Sequence, residues 1–384
     1  MIIVLVTPYY FPVLGGYTLI TQGLSKAFLE KEHEVKILTT MCESSYKEGN
    51  VITFDNYSLS FNEKAQILKG LNFYEKLFGY KEMTNIQRDM VLEVEKIKPD
   101  IVHTFGPIQF GFVGALSSAR GFKWVHTFIT QPPHRKSFIK KMMARKVFGR
   151  ADLMTVTATN QVRDLKEKYG LEVGRAIKVG VDTAFFTPTS RLQQVPIVGA
   201  VSNFVWKEKV EGLILLIRAF KRLQYTYPDV KLKIVGDGKY RKLVEETIKQ
   251  QRLENQVILL GRMNRDELKL FYQNISIFAH ISYQDTLPLT VLEAMASGLP
   301  IVASRIGDIP QVVSEDVGSV INFDEEGISQ ALSKLLGSKD LRACLGKDAR
   351  DKAEKEFSWY RVAKEYLSTY HDLLSSNRKK KRTK

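Results

Sequence analysis

The chain has 384 residues, 44% hydrophobic and 26% charged, a balance that allows two apolar cores and excludes disordered and fibrous classes. Its two cysteines, Cys42 and Cys344, lie far apart, so no disulfide framework or Cys-built zinc cage is expected and a reduced, intracellular setting is. The net charge of +15 is local: residues 101–150 hold nine Lys and Arg and no acid, and the run after Asn377 holds six more.

Short apolar runs rich in β-branched residues alternate with amphipathic stretches, the pattern of βαβ units around a parallel sheet. In chain order, strands are predicted at Ile2–Thr7, Glu34–Thr40, Asp100–Phe105, Lys123–Phe128, Leu153–Ala158 and Ala176–Val179. Helices are predicted between them at Tyr17–Lys31, Asn85–Lys98, Ser137–Arg150 and Asn160–Tyr169. Thr183–Pro196, with Pro188 and a Gln pair, reads as a linker. The pattern then restarts with strands at Ile197–Asn203, Lys231–Val235, Val257–Leu260, Ile275–Ala279 and Pro300–Ala303. The uncharged first 25 residues and the stretch Ile101–Ala119 are both interrupted by Pro and Gly, so neither reads as a membrane span.

The expected architecture is α/β: two tandem Rossmann-like, doubly wound domains over residues 1–188 and 189–357. A helix over 358–376 is expected to pack back on the first domain, followed by a disordered basic tail over 377–384. Ligands of such sheets bind beyond the carboxyl ends of the strands, and a central cleft faced by both sheets is the expected place.

Three stretches could carry chemistry. Thr7-Pro8-Tyr9-Tyr10-Phe11-Pro12 leads into Gly15-Gly16 just ahead of a helix, where backbone amides and the helix N-terminus suit an anion; a ligand-free tight turn is the plain alternative. Gly236-Asp237-Gly238 ends a strand and again sets glycine at a sheet's carboxyl edge, which a common turn also explains. Tyr283–Ser304 places Asp285 in a loop after a strand and Glu293 in the first turn of a helix closed by Gly298. Thr290 with Glu293 also fits a capping box, in which Glu293 only serves a backbone amide.

The stretch ending in EAMASGLPIVAS resembles the signature of glycosyltransferase family 4, retaining nucleotide-sugar-dependent enzymes of the GT-B fold. Pro99–His103, Gly180-Val181-Asp182, Gly307–Val313 and Phe357-Ser358-Trp359 extend the resemblance over nearly the whole chain. It implies a transferase of the hexosyl type without bound metal or cofactor, whose donor is UDP- or GDP-linked. By that resemblance Glu293 would hold the ribose hydroxyls, Asp285 would stand in place of the signature's first Glu near the transferred sugar, and Lys209 or Lys207 would meet the diphosphate, Lys209 being preferred. Asn203, Gly15, Gly16, Gly236, Gly238, Leu287, Pro288 and Leu289 would complete the donor site. Ile129 stands where the family commonly has His, and Asp308 and Gln311 replace Gly and Glu of a GGxPE turn.

Helix Ser137–Arg150 sets Phe138, Ile139, Met142, Met143 and Val147 within about half a helical wheel, with Lys140, Lys141 and Arg145 on the other half. Such a helix suits an anionic membrane surface, and a core-packed helix with a solvated basic face is the alternative. His126, Lys140, Lys141 and Arg145 are therefore the candidate acceptor-side or membrane-side residues, and a cytoplasmic protein on the inner membrane face is expected. The acceptor would be lipid-linked or a saccharide. A GT-B epimerase or phosphorylase, a non-catalytic nucleotide-sugar-binding partner subunit, and a nucleic-acid binder are the competing readings, the last without a recognised module or aromatic–basic interleaving.

Overall fold

The computed structural model describes residues 1–10, 15–40, 50–54, 80–106, 108–129, 138–189 and 195–382. Of the candidate features, Phe11, Pro12, Cys42, Ser137 and the side chains of Phe138, Ile139, Lys140 and Met143 lie outside the described residues. The chain divides into two compact units, Met1–Lys178 with Ala363–Lys384, and Val179–Val362.

The first unit contains β1 (Ile2–Thr7), α1 (Gly16–Leu29), β2 (Glu34–Thr39), β3 (Val51–Thr53), α2 (Tyr80–Ile97), β4 (Ile101–Phe105) and α3 (Ile108–Ala119). It continues with β5 (Lys123–Phe128), α4 (Phe138–Phe148), β6 (Leu153–Val156), α5 (Thr159–Tyr169) and β7 (Arg175–Ala176). All its strands pair in parallel in the order β3-β2-β1-β4-β5-β6-β7. Strands covered by helices on both faces read as apolar runs, as β1 does, and both β1 and β5 match their predicted bounds. The short edge strand β3 and the helix α3 were not predicted. In α3, Gly114 interrupts the helical signal, yet a Cβ there would meet the Trp124 ring at 2.0 Å, so the glycine seats helix on sheet.

The second unit contains β8 (Ile197–Val201), α6 (Lys207–Leu223), β9 (Lys231–Val235), α7 (Arg241–Gln250), β10 (Val257–Gly261), α8 (Arg265–Gln273) and β11 (Ile277–His280). It continues with α9 (Leu289–Ala296), β12 (Ile301–Ser304), α10 (Ile309–Val312), β13 (Gly318–Ile321), α11 (Glu325–Leu336) and α12 (Lys339–Phe357). Its parallel sheet runs β10-β9-β8-β11-β12-β13. Its core gathers Val198, Leu216, Phe220, Leu232, Ile234 and Ile277.

The domain boundary falls earlier than the expected 188/189. Thr183–Thr187 is anchored in the second unit: Arg350 Nη1 donates to the Phe186 carbonyl at 2.7 Å, and Gln273 Nε2 donates to the Thr187 carbonyl at 3.1 Å. The last helix, α13 (Trp359–Arg382), continues through most of the tail expected to be disordered. Ala363, Tyr366, Leu367 and Tyr370 recur at helical spacing and are all buried, so this stripe becomes part of the first unit's core.

Alternation along β4 and β5 gives the first sheet two different polar sets. On the face that meets α13, His103 Nδ1 and Nε2 lie 2.6 Å from Tyr370 Oη and Thr127 Oγ1. On the other face, Trp124 Nε1 donates to Thr104 Oγ1, which lies 2.7 Å from His126 Nδ1. Burial lowers the pKa of both histidines, that of His126 to about 3 from 6.5. Above pH 6.5 both folded and unfolded chains carry them neutral. Below it the unfolded chain takes up protons that the folded chain refuses, so stability falls with pH by up to about 1.4 kcal/mol per unit for each histidine. Denaturant titrations between pH 7 and pH 5 are expected to show this slope, and His126→Asn, which keeps a partner for Thr104, is expected to reduce it by about half.

Candidate active site

In the second sheet the strand order reverses between β8 and β11, the point at which ligands of open α/β sheets bind beyond the carboxyl ends of the strands. The loop after β8 is held down by the turn after β9. Gly236 and Gly238 have φ of 141° and 155°, and a Cβ on Gly236 would meet the Ser202 carbonyl oxygen at 1.7 Å. Phe204 N–H donates to the Asp237 carbonyl at 3.1 Å, which fixes where α6 begins. Asn203 is exposed beside this turn.

The loop after β11 is fixed from its other side. Ser282 N–H donates to Ser304 Oγ at 3.1 Å, and the Ser304 hydroxyl donates back to the Ser282 carbonyl at 2.9 Å. Asp308 N–H donates to the Thr286 carbonyl at 2.8 Å, and a Cβ on Gly307 would meet that same oxygen at 2.0 Å. Asp308, which replaces a Gly of the family's turn, is thus a buried member of this loop contact.

These constraints bring Asp285 to Lys209. The ammonium lies 2.6 Å from Asp285 Oδ1, and His280 Nε2 lies 3.1 Å from Oδ2. The side chains of Lys209, Asp285 and His280 are 23%, 12% and 7% exposed. Burial by itself pushes the Asp285 carboxyl up, but the bonds and charge of His280 and Lys209 outweigh it and hold the group at about 2. Lys207, the alternative cation, instead pairs with Glu211 at 3.5 Å on the exposed side of α6.

Glu293 sits in a contrasting environment. α9 starts after Pro288, which makes Glu293 its fifth residue and places it beyond the first turn. The capping-box reading therefore fails, because a carboxylate that far along cannot reach back to the cap. The Tyr272 hydroxyl donates to Glu293 Oε2 at 2.9 Å. Burial raises the Glu293 pKa; the Tyr272 bond and the nearby Arg265 charge oppose that rise. Arg265 is itself held by Asp182 at 2.8 Å and lies over the Phe185 ring. Leu287 is buried, and Pro288 and Leu289 are partly buried between the two carboxylates in sequence.

The other candidates lie in the first unit. Gly15 caps α1, and Gly16 opens it with no acidic residue in the first turn. Ile129 is buried and would lie 3.7 Å from a Cβ on Gly16. One membrane-side assignment is corrected. His126 is fully buried against Phe128 and Phe148, since alternation turns it into the core. Arg145 Nε donates to the Tyr169 carbonyl and so closes the C-terminus of α5. Val147 joins the core with Ala144 and Phe148, whereas Met142 is 54% exposed and Lys141 partly so. Among the described residues no helix is long and apolar enough to cross a membrane, and no group of three or more His, Cys, Asp or Glu is placed to hold a metal ion.

Reasoning from sequence missed His280 and Tyr272. His280 is a lone imidazole ending an apolar strand, and Tyr272 lies within the apolar face of α8; neither pattern names its carboxylate partner. Tyr272→Phe is expected to cost about 1–3 kcal/mol at pH 7, because a buried carboxylate loses a donor. The loss also lifts the Glu293 pKa further above its unfolded value, so protonation favours the folded variant and the deficit narrows toward pH 5. Urea titrations at the two pH values measure both effects.

The family description "Glycosyltransferase Family 4" matches residues 14–185, and "Glycosyl transferases group 1" matches residues 188–352. D-inositol 3-phosphate glycosyltransferase of Corynebacterium urealyticum is 26% identical over 304 residues, 71% of this chain and 72% of that protein. Sulfoquinovosyl transferase SQD2 of Arabidopsis thaliana is 26% identical over 380 residues, 92% of this chain and 70% of that protein. The structure of Anabaena HepE in complex with UDP superposes with a TM-score of 0.75 at 19% identity, covering 97% of this chain and 100% of that one, a likeness of fold. With its two halves matched in turn and two doubly wound parallel sheets to carry them, the chain belongs to the family 4 glycosyltransferases of the GT-B fold.

Proposed function

We propose that this glycosyltransferase takes a UDP- or GDP-linked sugar as donor, retains the configuration of the transferred sugar, and needs no bound metal or other cofactor. The observation that carries this reading is the Lys209–Asp285 pair formed by the segments that follow β8 and β11, the switch point of the second sheet, with Glu293 on the helix that follows the Asp285 loop. As C1 of the sugar parts from the diphosphate, positive charge develops on the ring and negative charge on the leaving group. Lys209 would meet the leaving phosphate with an ammonium whose other two protons are not needed by Asp285. Glu293 offers Oε1 to the ribose hydroxyls while Tyr272 holds Oε2. Asp285, held ionised, would lie near the sugar. Gly236 and Gly238 would add backbone donors at the edge of the donor site.

The acceptor in this reading is a lipid-linked molecule or a saccharide, and the protein works at the cytoplasmic face of the membrane. Support for the lipid side comes from the charge of residues 101–150 together with exposed Met142, Lys146 and Arg150 on or just after α4. Arg145 donates its Nε–H to the Tyr169 carbonyl yet is exposed, and it stays with Lys140 and Lys141 as a candidate for that role.

Donor consumption measured across UDP- and GDP-sugars is expected to select one donor, and Glu293→Ala is expected to lower kcat/KM about 100-fold. Full-rate turnover by that variant removes Glu293 from the site, and NMR of the product's anomeric signal decides between retention and inversion. In flotation with anionic liposomes at low salt the wild type is expected to rise with the vesicles, and the Lys140→Gln, Lys141→Gln variant to rise less. A wild type that stays at the bottom of the gradient removes the membrane from the proposal.

A further inference from the structure

β11 reads Ile277-Phe278-Ala279-His280, and every residue in it is buried. One imidazole thus interrupts an apolar strand at the centre of a sheet. A polar ring in that setting costs free energy unless it is hydrogen-bonded, and the bond it makes is to Asp285 Oδ2. An ionised carboxylate only accepts, so Nε2 carries the proton and donates.

The backbone between the two residues is fixed by the Ser282–Ser304 pair, and Gln284 N–H donates to Ser282 Oγ at 3.2 Å. What remains free at Asp285 is rotation of its side chain. Lys209 does not restrict that rotation well, because a compact ammonium on a four-carbon stem follows its partner. A buried ring on a sheet strand does restrict it, since its own rotamer is set by packing. Asp285 also has one methylene fewer than the Glu of the family signature, so its oxygens are set by the residues that grip them.

We propose that His280 is a positioning residue of the donor site: by donating to Oδ2 it turns Oδ1 toward Lys209 and so fixes where the ammonium meets the diphosphate. The inference rests on the nucleotide-sugar reading and names the group that orders its cation. His280 touches neither donor nor acceptor, and its effect passes through Asp285.

His280→Leu, which fills the same apolar space and cannot donate, is compared with His280→Gln, whose amide N–H reaches far enough to donate. Binding of UDP-glucose and GDP-mannose is read by calorimetry, and transfer kinetics are run with the donor that binds. The Leu variant is expected to raise the donor KM about tenfold, the size of one lost hydrogen bond to a charged group, with the acceptor KM unchanged. The Gln variant is expected to recover most of that loss. Should the Leu variant fail to fold, His280→Asn takes its place, being polar but too short to reach Asp285, with the same tenfold rise expected. A folded Leu or Asn variant with wild-type donor KM overturns the inference alone, as does a Gln variant no better than Leu. A wild type that binds no nucleotide sugar overturns the underlying reading and this inference with it.

Discussion

The ion pair between Lys209 and Asp285 is the constraint around which the second unit's switch point is arranged. Neither charge is in open water, and removing one partner would leave the other poorly solvated. Lys209 is delivered by α6, which follows β8, and Asp285 by the loop that follows β11; these strands are neighbours in the sheet but distant in sequence. The pair can form only if both loops hold their shape. Gly236 lets the Ser202 carbonyl come close on one side, and Gly307 lets the Thr286 carbonyl come close on the other. The net stability from such a pair is small once desolvation is counted, and its value lies in specifying one geometry.

Seven residues separate two carboxylates with opposite surroundings. Asp285 has a donor on each oxygen and stays ionised far below neutral pH; Glu293 is shut among Tyr272 and apolar neighbours, and its pKa is pushed upward. Divergent environments of this kind assign divergent tasks. A permanently charged group suits electrostatic work beside a leaving diphosphate, whereas a shielded group with one committed oxygen suits hydrogen bonding to a neutral hydroxyl pair.

How much of this was legible in the sequence depended on range. The buried strands of both sheets stood out because parallel strands covered on both faces are rich in apolar and β-branched residues, as β1 and β8 are. The three-residue edge strand β3 is too short for that signal, and β13 was also not predicted. Glu293 could be placed on a helix, but whether it served the cap or a neighbour turned on where α9 begins and on a tyrosine from another helix. The basic helix stayed ambiguous for a physical reason: a half-wheel of apolar residues looks the same whether it faces lipid or a protein core, and part of it, Val147 and Phe148, packs in the cluster of Trp124 and Phe128. The bond of Arg145 was not legible because its partner, the Tyr169 carbonyl, comes from a helix 24 residues away.

Helix α13 gives the molecule an unusual order of assembly. The residues that complete the first unit's core, Tyr366 and Tyr370, leave the ribosome only after the whole of the second unit. The first unit is thus interrupted by the second as by an inserted domain, and the amino-terminal sheet must wait with His103 and Thr127 uncovered until the carboxyl-terminal helix emerges. A fragment cut at Lys178 would never receive that cover, while the inserted unit carries its own core from Val179 to Val362 and has no such debt.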